Sequence, residues 1–380
     1  MTQALRKASQ TRSRPWLVRC AMANPGELPT RLGSFELVRL LAQGGMADVY
    51  LAHQAGLDRP VAVKVLNAQR SGDAESCALF VDEARVVGML SHRNLAAVHE
   101  VAEEDGVHYL AMEYVDGADL REILLRAQED SVALSFAAAV CIVVAAAAGL
   151  DHAHRRCAPD GRPLHLVHRD VSLSNIMVGH DGEVKVIDFG IARSTTSQHH
   201  TNPGIVRGKP AYMSPEQCLG DTVDLRTDVF ALGVVLYELA TGRRCFAGDS
   251  DFERMLAVVR GEWTPPSQVM PDFPPVLEQV IRTALAADPA QRYPSAAAMQ
   301  DALEEAAALE GWELGTAVTA QLMSSLFGTV RLARGTASEL FADATVAMRP
   351  PAPSAEDWHD EAPTRGRRSV RRMWSAVVAA

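Results

Sequence analysis

Hydrophobic and polar residues alternate along residues 35–68 in short runs, FELVRLL, DVYLA and PVAVKVL, which are separated by a Gly-Gly turn and an Asp-Arg-Pro turn. A period of two places successive side chains on opposite faces of a strand, and tight turns of this kind join antiparallel neighbours. The stretch AAVHEVAEEDGVHYLAMEYV alternates in the same way on either side of an acidic turn. The pattern therefore predicts an antiparallel sheet at the start of the folded region.

Helical spacing interrupts this sheet and dominates after it. Residues 77–91, CALFVDEARVVGMLS, repeat apolar positions at the spacing of an amphipathic helix. Beyond Val115 the pattern is mainly helical to about Leu309, broken by strand-like pieces around NIMVG and EVKVIDFG. We therefore predict an α+β fold of two lobes, a small antiparallel β-lobe with one helix and a larger α-rich lobe.

Composition divides the chain into three parts. Residues 1–34 are basic, polar and punctuated by Pro and Gly, so we expect a flexible segment. The patterned domain spans residues 35–309, with the small lobe over 35–114 and the large lobe over 115–309. Residues 310–380 contain one amphipathic helix, ELGTAVTAQLMSSLF, then a Pro-rich acidic stretch and the basic end RGRRSVRRMWSAVVAA. We expect the basic end to be a solvated tail, with weak contact to an anionic membrane surface as the alternative.

Several features favour a cytoplasmic protein. The apolar run from Val132 to Leu150 approaches the length of a membrane span, but alanine supplies much of it. We therefore predict a buried helix and keep the span as the alternative. The N-terminal residues lack the apolar segment of a secretory signal, and the 6 cysteines are scattered without a C-x-x-C pair.

Bulk composition excludes other classes of protein. A hydrophobic content of 48% with 22% charged residues is ordinary for a soluble globular protein and argues against disorder. The formal net charge of −10 argues against nucleic acid as a partner, because phosphate contacts need a cationic surface.

Candidate chemistry begins in the β-lobe. LAQGGMADVYLA, residues 41–52, lies between two predicted strands, where a glycine turn can bring backbone N–H groups over a polyphosphate. It neither leads from a strand into a helix nor contains the G-K-[ST] of a Walker loop, so two common nucleotide folds are disfavoured. Lys64 follows between Val63 and Val65, and an inward-facing lysine needs an anionic partner. Glu83 on the predicted helix can supply one, although an exposed glutamate is the usual case.

The most specific pattern combines HRDVSLSN, residues 168–175, with IDFG, residues 187–190. It places Asp170, Asn175 and Asp188 on two neighbouring loops. Phosphoryl transfer requires a carboxylate that accepts the nucleophile's proton and oxygen ligands that hold Mg²⁺ on the phosphates. Each residue alone could be a turn former. Their order and spacing together favour a catalytic site.

With AQGGMADV, VAVK, SPE, DVFALG and QRY, these motifs make the chain from about Phe35 to Leu309 resemble the eukaryotic-like serine/threonine protein kinases of bacteria. The resemblance implies a bilobal kinase fold with ATP in the cleft, Mg²⁺ or alternatively Mn²⁺ as the metal, and proteins with Ser or Thr acceptors as substrates. The implied ATP-binding residues are Leu41, Ala42, Gly44 and Gly45 in the glycine loop, Val49, Ala62 and Met177 against adenine, Met112, Glu113 and Val115 in the connector, and Asp119 at the ribose.

The resemblance also implies the catalytic roles. Lys64 would bind the α- and β-phosphates, Glu83 would orient Lys64, and Asp170 would be the catalytic base. Asn175 and Asp188 would bind the metal.

Further expectations from the resemblance concern the support of the site. Glu216 would pair with Arg292 below the activation segment. A column of side chains would stack through the core and end on Asp228; its members are Val87, Val98, His168 and Phe189.

Two positions depart from the family in a paired way. Ser172 stands where a lysine usually follows the catalytic aspartate, and Lys209 stands where a threonine is common. We predict that the two donors have exchanged places, so that Lys209 neutralises the transferred phosphoryl group while Ser172 hydrogen-bonds Asp170. In the alternative, Lys209 points to solvent and Ser172 only caps its loop.

Other departures affect the lid and the substrate. Ala42 and Ala47 replace two glycines of the loop, which makes the lid stiffer without inactivating it. Ser174 stands where an acidic residue can favour basic substrates, so we predict no strong basic consensus.

The leading interpretation is an active protein kinase, because Lys64, Asp170, Asn175 and Asp188 are all present. A pseudokinase scaffold and a small-molecule phosphotransferase are the alternatives, and tyrosine as an additional acceptor stays open. We also expect the core without residues 1–21 and the residues after Leu309 to fold and bind ATP.

Activation by phosphorylation is a further prediction. Arg169 precedes the catalytic base and could pair with a phosphate, ordering the loop by charge-assisted hydrogen bonds. The candidate acceptors lie in RSTTSQHHT and are Thr195, Thr196, Ser197 and Thr201. The alternative is a solvated loop.

Overall fold

The computed structural model describes residues 31–44, 47–57, 59–66, 74–158, 160–189 and 209–328, with residues 74–76, 79, 82 and 83 described by their backbone alone. Residues 1–30 of the predicted N-terminal segment, the basic tail and the activation-segment acceptors fall outside the described residues, as do Gly45 and the side chain of Glu83. Residues 31–34 of that segment are not a flexible end, because Arg31–Leu32 form a strand that pairs with Phe35 and Glu36.

The small lobe is the predicted antiparallel sheet. Its strands lie in the order β1-β2-β3-β4-β6-β5, and each neighbouring pair is antiparallel. The one described helix of this lobe, α1 (Ala74–Gly88), lies between β4 and β5 in the chain, where helical spacing predicts it. The strands are β1 (Arg31–Leu32), β2 (Phe35–Gln43), β3 (Ala47–Gln54), β4 (Arg59–Leu66), β5 (Val98–Glu104) and β6 (Val107–Glu113).

Alternation along β4 gives its two faces different roles. Val61, Val63 and Val65 are buried in one apolar cluster with Phe35 and Tyr109. Successive side chains of a strand point to opposite faces, so Ala62 and Lys64 share the other face. The alternation therefore places a lysine on the face of the sheet opposite the apolar cluster.

The large lobe is mainly helical, as predicted. A second, three-stranded antiparallel sheet in the order β7-β8-β9 lies at its edge, with strands β7 (Gly117–Asp119), β8 (Ile176–Gly179) and β9 (Val184–Val186). The helices are α2 (Leu120–Glu129), α3 (Phe136–His154), α4 (Pro215–Leu219), α5 (Arg226–Thr241), α6 (Asp251–Arg260), α7 (Pro266–Val269), α8 (Pro275–Ala284), α9 (Ala296–Glu310) and α10 (Thr316–Phe327), with short 3₁₀ turns at Leu173–Asn175, Pro210–Tyr212 and Pro289–Gln291.

Helix α3 is the predicted apolar helix. It begins at a capping serine, Ser135, whose side chain accepts a hydrogen bond from the backbone N–H of Ala138. In the described part of the chain it is the single helix long and apolar enough to cross a membrane, and 67% of its apolar window is buried within the protein. It packs against α9 and α5 in the core of the large lobe, which is the position of the predicted buried helix.

Helix α10 packs against the same core, although it begins after Leu309. Leu322, Met323 and Leu326 are buried against the large lobe. Thr319 donates a hydrogen bond of 2.6 Å to the carbonyl oxygen of Gly182, in the turn between β8 and β9. A side chain at Gly182 would meet the backbone of α10, and its φ of +85° also favours glycine. The helix of the predicted tail segment thus lies directly on the large lobe.

Candidate active site

Asp228, in the first turn of α5, holds the catalytic loop, which we define as residues 166–175. Its carboxylate is fully buried and accepts hydrogen bonds of 2.8 Å from the backbone N–H groups of His168 and Arg169. His154 Nε2 lies 2.8 Å from the same carboxylate. Burial raises the pKa of Asp228, but the hydrogen bond and charge of His154, with His168, outweigh it and lower the pKa overall. The backbone path of the catalytic loop is therefore set by an ionised buried carboxylate.

Asp170 and Asn175 come together within this loop. Asn175 Nδ2 donates to the backbone oxygen of Asp170 at 2.8 Å and to its carboxylate at 3.0 Å. The Asp170 carboxylate is thereby oriented. Because the amide nitrogen of Asn175 is used in this way, the amide oxygen is the atom that Asn175 can offer to a cation.

Asp188 lies beside Lys64. The distance from Lys64 Nζ to the carboxylate of Asp188 is 2.9 Å, and Asp188 has a left-handed φ of 54°, a conformation uncommon for aspartate. Burial raises the pKa of Asp188, but the charge and hydrogen bond of Lys64 outweigh it. With smaller contributions from His168 and Lys209, the pKa is held below its ordinary value. The predicted phosphate-binding cation and metal ligand are thus brought together.

Part of the predicted column is also formed. The rings of His168 and Phe189 are 4.6 Å apart between centroids, and His168 is bonded through its backbone to Asp228. Val87 packs against the large-lobe core that contains Phe189, whereas Val98 packs against the small-lobe cluster around Phe80. The segment of Asp188 is therefore packed onto the catalytic loop.

Strand pairing aligns the predicted adenine-binding residues. Ala62 is opposite Met112 in the pairing of β4 with β6, and both are buried. Val49 is opposite Lys64 in the pairing of β3 with β4, so it shares the face of that lysine. Met177 is opposite Asp119 in the pairing of β7 with β8, which brings one predicted adenine contact beside the predicted ribose contact.

The connector between the lobes is held by its own side chains. The backbone N–H of Glu113 donates to the oxygen of Ala97 at 2.8 Å, and the carboxylate of Glu113 accepts from Lys185 at 2.8 Å. Asp119 uses one carboxylate oxygen to accept from the N–H of Glu122 and so caps α2.

Lys185 is the residue that our sequence reasoning missed. It stands between Val184 and Val186 in β9 and is buried, so the argument applied to Lys64, that an inward lysine needs an anionic partner, identifies it equally well. Burial lowers the pKa of Lys185, but hydrogen bonds to Glu113 and Glu183 outweigh it and raise the pKa overall.

The glycine loop is described as far as Gly44. Its N–H donates to the carboxylate of Asp48 at 3.3 Å, and a side chain at Gly44 would come within 2.7 Å of the backbone oxygen of Ala47. The close approach of the two strands therefore requires glycine at this position. Leu41 lies at the end of β2, half-buried, and Ala42 is exposed.

A second buried ion pair anchors the docking segment, which we define as residues 209–217. Both guanidinium NH groups of Arg292 donate to the carboxylate of Glu216 at 2.7 Å, as predicted. Burial raises the pKa of Glu216, but the hydrogen bonds and charge of Arg292 outweigh it and lower the pKa. Gln217 Nε2 donates to the backbone oxygen of Arg169 at 3.0 Å, which ties this segment to the catalytic loop.

Lys209 and Ser172 are in direct contact. Lys209 Nζ donates to Ser172 Oγ at 3.2 Å, and Ser172 is fully buried. The two residues whose types depart from the resembled family thus meet on the catalytic loop, two positions after Asp170.

The β-lobe carries Lys64 on the face opposite its apolar cluster, and Asp188 pairs with this lysine. The helical lobe holds the loop of Asp170 and Asn175 through Asp228. This arrangement is the architecture of a protein kinase. The sequence matches the protein kinase domain family over residues 35–303. The chain therefore belongs to the protein kinase family. Proteins of this family use ATP and divalent metal ions.

Known proteins of several bacteria resemble this domain. The chain is 40% identical over 275 residues to the tyrosine-protein kinase MasK of Myxococcus xanthus, covering 72% of this chain and 43% of MasK. It is 38% identical to the serine/threonine-protein kinase PknB of Mycolicibacterium smegmatis, covering 73% of this chain and 43% of PknB. The serine/threonine-protein kinase PrkC of Bacillus subtilis is 35% identical, with 70% and 40% covered. The matched part thus spans about two fifths of each of these relatives.

Solved structures give the same fold. The kinase domain of Mycobacterium tuberculosis PknI, as a C20A mutant, aligns with a TM-score of 0.55 at 30% identity, covering 73% of this chain and 100% of that domain.

Proposed function

We propose that this protein is an ATP-dependent protein kinase that transfers the γ-phosphoryl group of ATP to serine and threonine hydroxyls of proteins. The observation that carries the proposal is the joint placement of four side chains. Asn175 orients the Asp170 carboxylate, and Lys64 lies 2.9 Å from Asp188. Relatives named serine/threonine-protein kinases at 35–38% identity support the same activity.

The residues divide the chemistry among themselves. Asp170 accepts the proton of the acceptor hydroxyl, and Lys64 binds the α- and β-phosphates of ATP. Mg²⁺ held by the amide oxygen of Asn175 and the carboxylate of Asp188 would neutralise the phosphate charge, and Mn²⁺ offers the same chemistry. Both donors are oxygen atoms, and the lowered pKa of Asp188 keeps its carboxylate ionised, so the donor set fits a hard cation.

The adenine would lie between Val49, Ala62 and Met177. In the connector, the N–H of Glu113 is used internally, so Glu113 offers adenine its carbonyl oxygen, and Val115 offers its backbone. Asp119 uses one carboxylate oxygen as a helix cap, and the other would reach the ribose.

Incorporation of ³²P from labelled ATP into the protein itself and into a generic protein acceptor tests the proposal. Asp170→Asn keeps the size of the side chain and removes the base, so we expect incorporation to fall on the order of 10²-fold or more while ATP binding is retained. Asp224→Asn, an exposed aspartate paired with Arg226, is the matched control. Labelling unchanged in Asp170→Asn, or absent in the wild type with ATP bound, would favour a pseudokinase scaffold.

Tyrosine is a second candidate acceptor. The observation that favours it is that MasK, a relative of 40% identity, is named a tyrosine-protein kinase. Phosphoamino-acid analysis of the labelled products separates phosphotyrosine from phosphoserine and phosphothreonine.

Activation by phosphorylation belongs to the same proposal. Arg169 is half-buried, and among the described residues no carboxylate forms an ion pair with its guanidinium. A phosphate at Thr195, Thr196, Ser197 or Thr201 would give it a partner.

The protein would act in the cytoplasm, with the C-terminal basic end as the segment that could contact an anionic membrane.

A further inference from the structure

The contact between Lys209 and Ser172 places a cation at the catalytic loop. Ser172 follows Asp170 by two positions, and its hydroxyl accepts the 3.2 Å hydrogen bond from Lys209. The ammonium group of Lys209 therefore lies on the catalytic loop, against the residue two positions after the proposed base.

We propose that Lys209 is a catalytic residue that neutralises the γ-phosphoryl group during transfer, and that it is supplied by the docking segment instead of the catalytic loop. The proposal rests on the proposed function. In the step concerned, a bond forms between the acceptor oxygen and the γ-phosphorus while the bond to the bridging oxygen breaks. The bridging oxygen keeps the electron pair and leaves with ADP, and Asp170 takes the acceptor's proton. Charge on the transferring oxygens is stabilised by a preorganised ammonium group.

Donor counting assigns Ser172 a positioning role. An ammonium group has three donors, so the bond to Ser172 leaves two N–H groups of Lys209 for phosphoryl oxygens. The Ser172 oxygen accepts this bond, so Ser172 holds the ammonium group against the catalytic loop. Ser172 is fully buried with an extended backbone (φ −164°, ψ 169°). It therefore fixes the lysine from a rigid site.

The way in which Lys209 is held affects how the transfer activity can be regulated. The catalytic loop is fixed by Asp228, whereas Lys209 is fixed from the residues after it. Pro210 biases Lys209 towards extended backbone, and its observed φ is −92° and ψ 101°. Tyr212 then donates a 2.7 Å hydrogen bond to the buried Glu238. Displacement of the docking segment would therefore remove the catalytic cation itself, and not only the surface that receives a protein substrate.

The first experiment measures ATP hydrolysis with water as acceptor, which needs no protein substrate. Lys209→Met removes the charge and keeps the length of the side chain, and we expect kcat to fall on the order of 10²-fold with the KM for ATP changed less than about threefold. Ser172→Ala keeps the cation and loses one hydrogen bond, so a fall of about fivefold is expected. Arg282→Met removes one positive charge from α8 and serves as the matched control for net charge.

The second experiment restores the cation by placing a lysine in the catalytic loop at position 172. The double variant Ser172→Lys with Lys209→Thr should recover most of the activity lost in Lys209→Met. Tyr212→Phe, which loosens the docking segment, should lower kcat for ATP hydrolysis in the native background and lower it less in the double variant. This difference is the signature of a cation carried by the segment, because a merely structural lysine gives equal effects in both backgrounds.

The outcomes separate this proposal from the one on which it rests. Near-full kcat in Lys209→Met, with Asp170→Asn inactive, overturns the role of Lys209 and leaves the kinase proposal intact. If the double variant does not recover the kcat lost in Lys209→Met, the lysine has a structural role and the proposal is likewise overturned. An inactive wild type that binds ATP contradicts the kinase activity itself.

Discussion

The catalytic loop and the docking segment meet at Ser172 and Lys209, but they are anchored in different ways. Asp228 holds the catalytic loop through two backbone N–H groups, each 2.8 Å from its carboxylate. The docking segment is held by side chains, chiefly the bidentate pair of Glu216 with Arg292. A backbone anchor fixes the path of a loop whatever its side chains are, so Ser172 can replace a lysine without changing that path.

The largest effect is expected at the backbone anchor. Asp228→Ala leaves two buried N–H groups and His154 without their acceptor, and breaking a buried ionic group of this kind costs about 3–5 kcal/mol of unfolding free energy. Urea unfolding measures the loss. The matched control is Asp251→Ala, because its exposed pair with Arg254 should contribute about 0–1 kcal/mol.

The loss of stability at acid pH gives an independent measurement of the Asp228 anchor. The pKa of Asp228 is lowered in the folded state, so its contribution is present above the ordinary carboxyl pKa near 4 and is lost as the pH falls through the lowered value. Asp228→Asn should therefore reduce the steepness of the stability loss on acidification below about pH 4. An unchanged loss of stability below about pH 4 in Asp228→Asn would contradict an ionised Asp228.

A smaller but still large effect is expected at the side-chain anchor. Arg292→Met leaves Glu216 buried without its cation and should lower the unfolding free energy by about 3 kcal/mol. The double variant Arg292→Met with Glu216→Gln removes the unpaired charge, so part of the loss should return. Hydrogen exchange should rise in α4 and in residues 209–214 and remain unchanged in the catalytic loop. Equal exposure of both regions would show that the two anchors form one cooperative unit.

The smallest effect of a single substitution is expected at Thr319 of α10, which packs against α2, α3 and β8. Thr319→Val is nearly isosteric and leaves the carbonyl oxygen of Gly182 without its 2.6 Å hydrogen bond, so a loss of about 1–3 kcal/mol is expected. Exchange should increase in the turn between β8 and β9 and not in α4. Ser324→Ala, on the exposed side of α10, is the control. Increased exchange in α4 would contradict a local effect of the Thr319 hydrogen bond.

Truncation of the chain before α10 tests how much this helix contributes to stability. A chain ending after Leu309 lacks α10, and we expect it to bind ATP with a lower melting temperature than a chain ending at Gly328. The difference should correspond to the burial of Leu322, Met323 and Leu326, which only the longer chain retains.

Local patterns were sufficient for much of the fold and of the site. The period of two in β4 predicted both its buried valines and the exceptional position of Lys64, because strand geometry alone sets which face a residue occupies. The spacing of Asp170 and Asn175 predicted their joint role, although the path of their loop is held by Asp228 from another part of the chain. Lys185 was missed although the same rule applies to it, since it too is a lysine between two buried valines of a strand.

The sequence by itself determined the lobes, the strand faces and the identity of the catalytic side chains, because these depend on residues within one strand, helix or loop. Only the tertiary structure decided which distant groups meet. Lys209 and Ser172 are 37 positions apart, and Thr319 and Gly182 are 137 apart. No local period constrains such pairs, since their contact depends on how the docking segment and α10 pack onto the large lobe. An exchanged pair of residue types can be noticed in a sequence, but the 3.2 Å contact that gives the exchange a chemical meaning exists only in the folded chain.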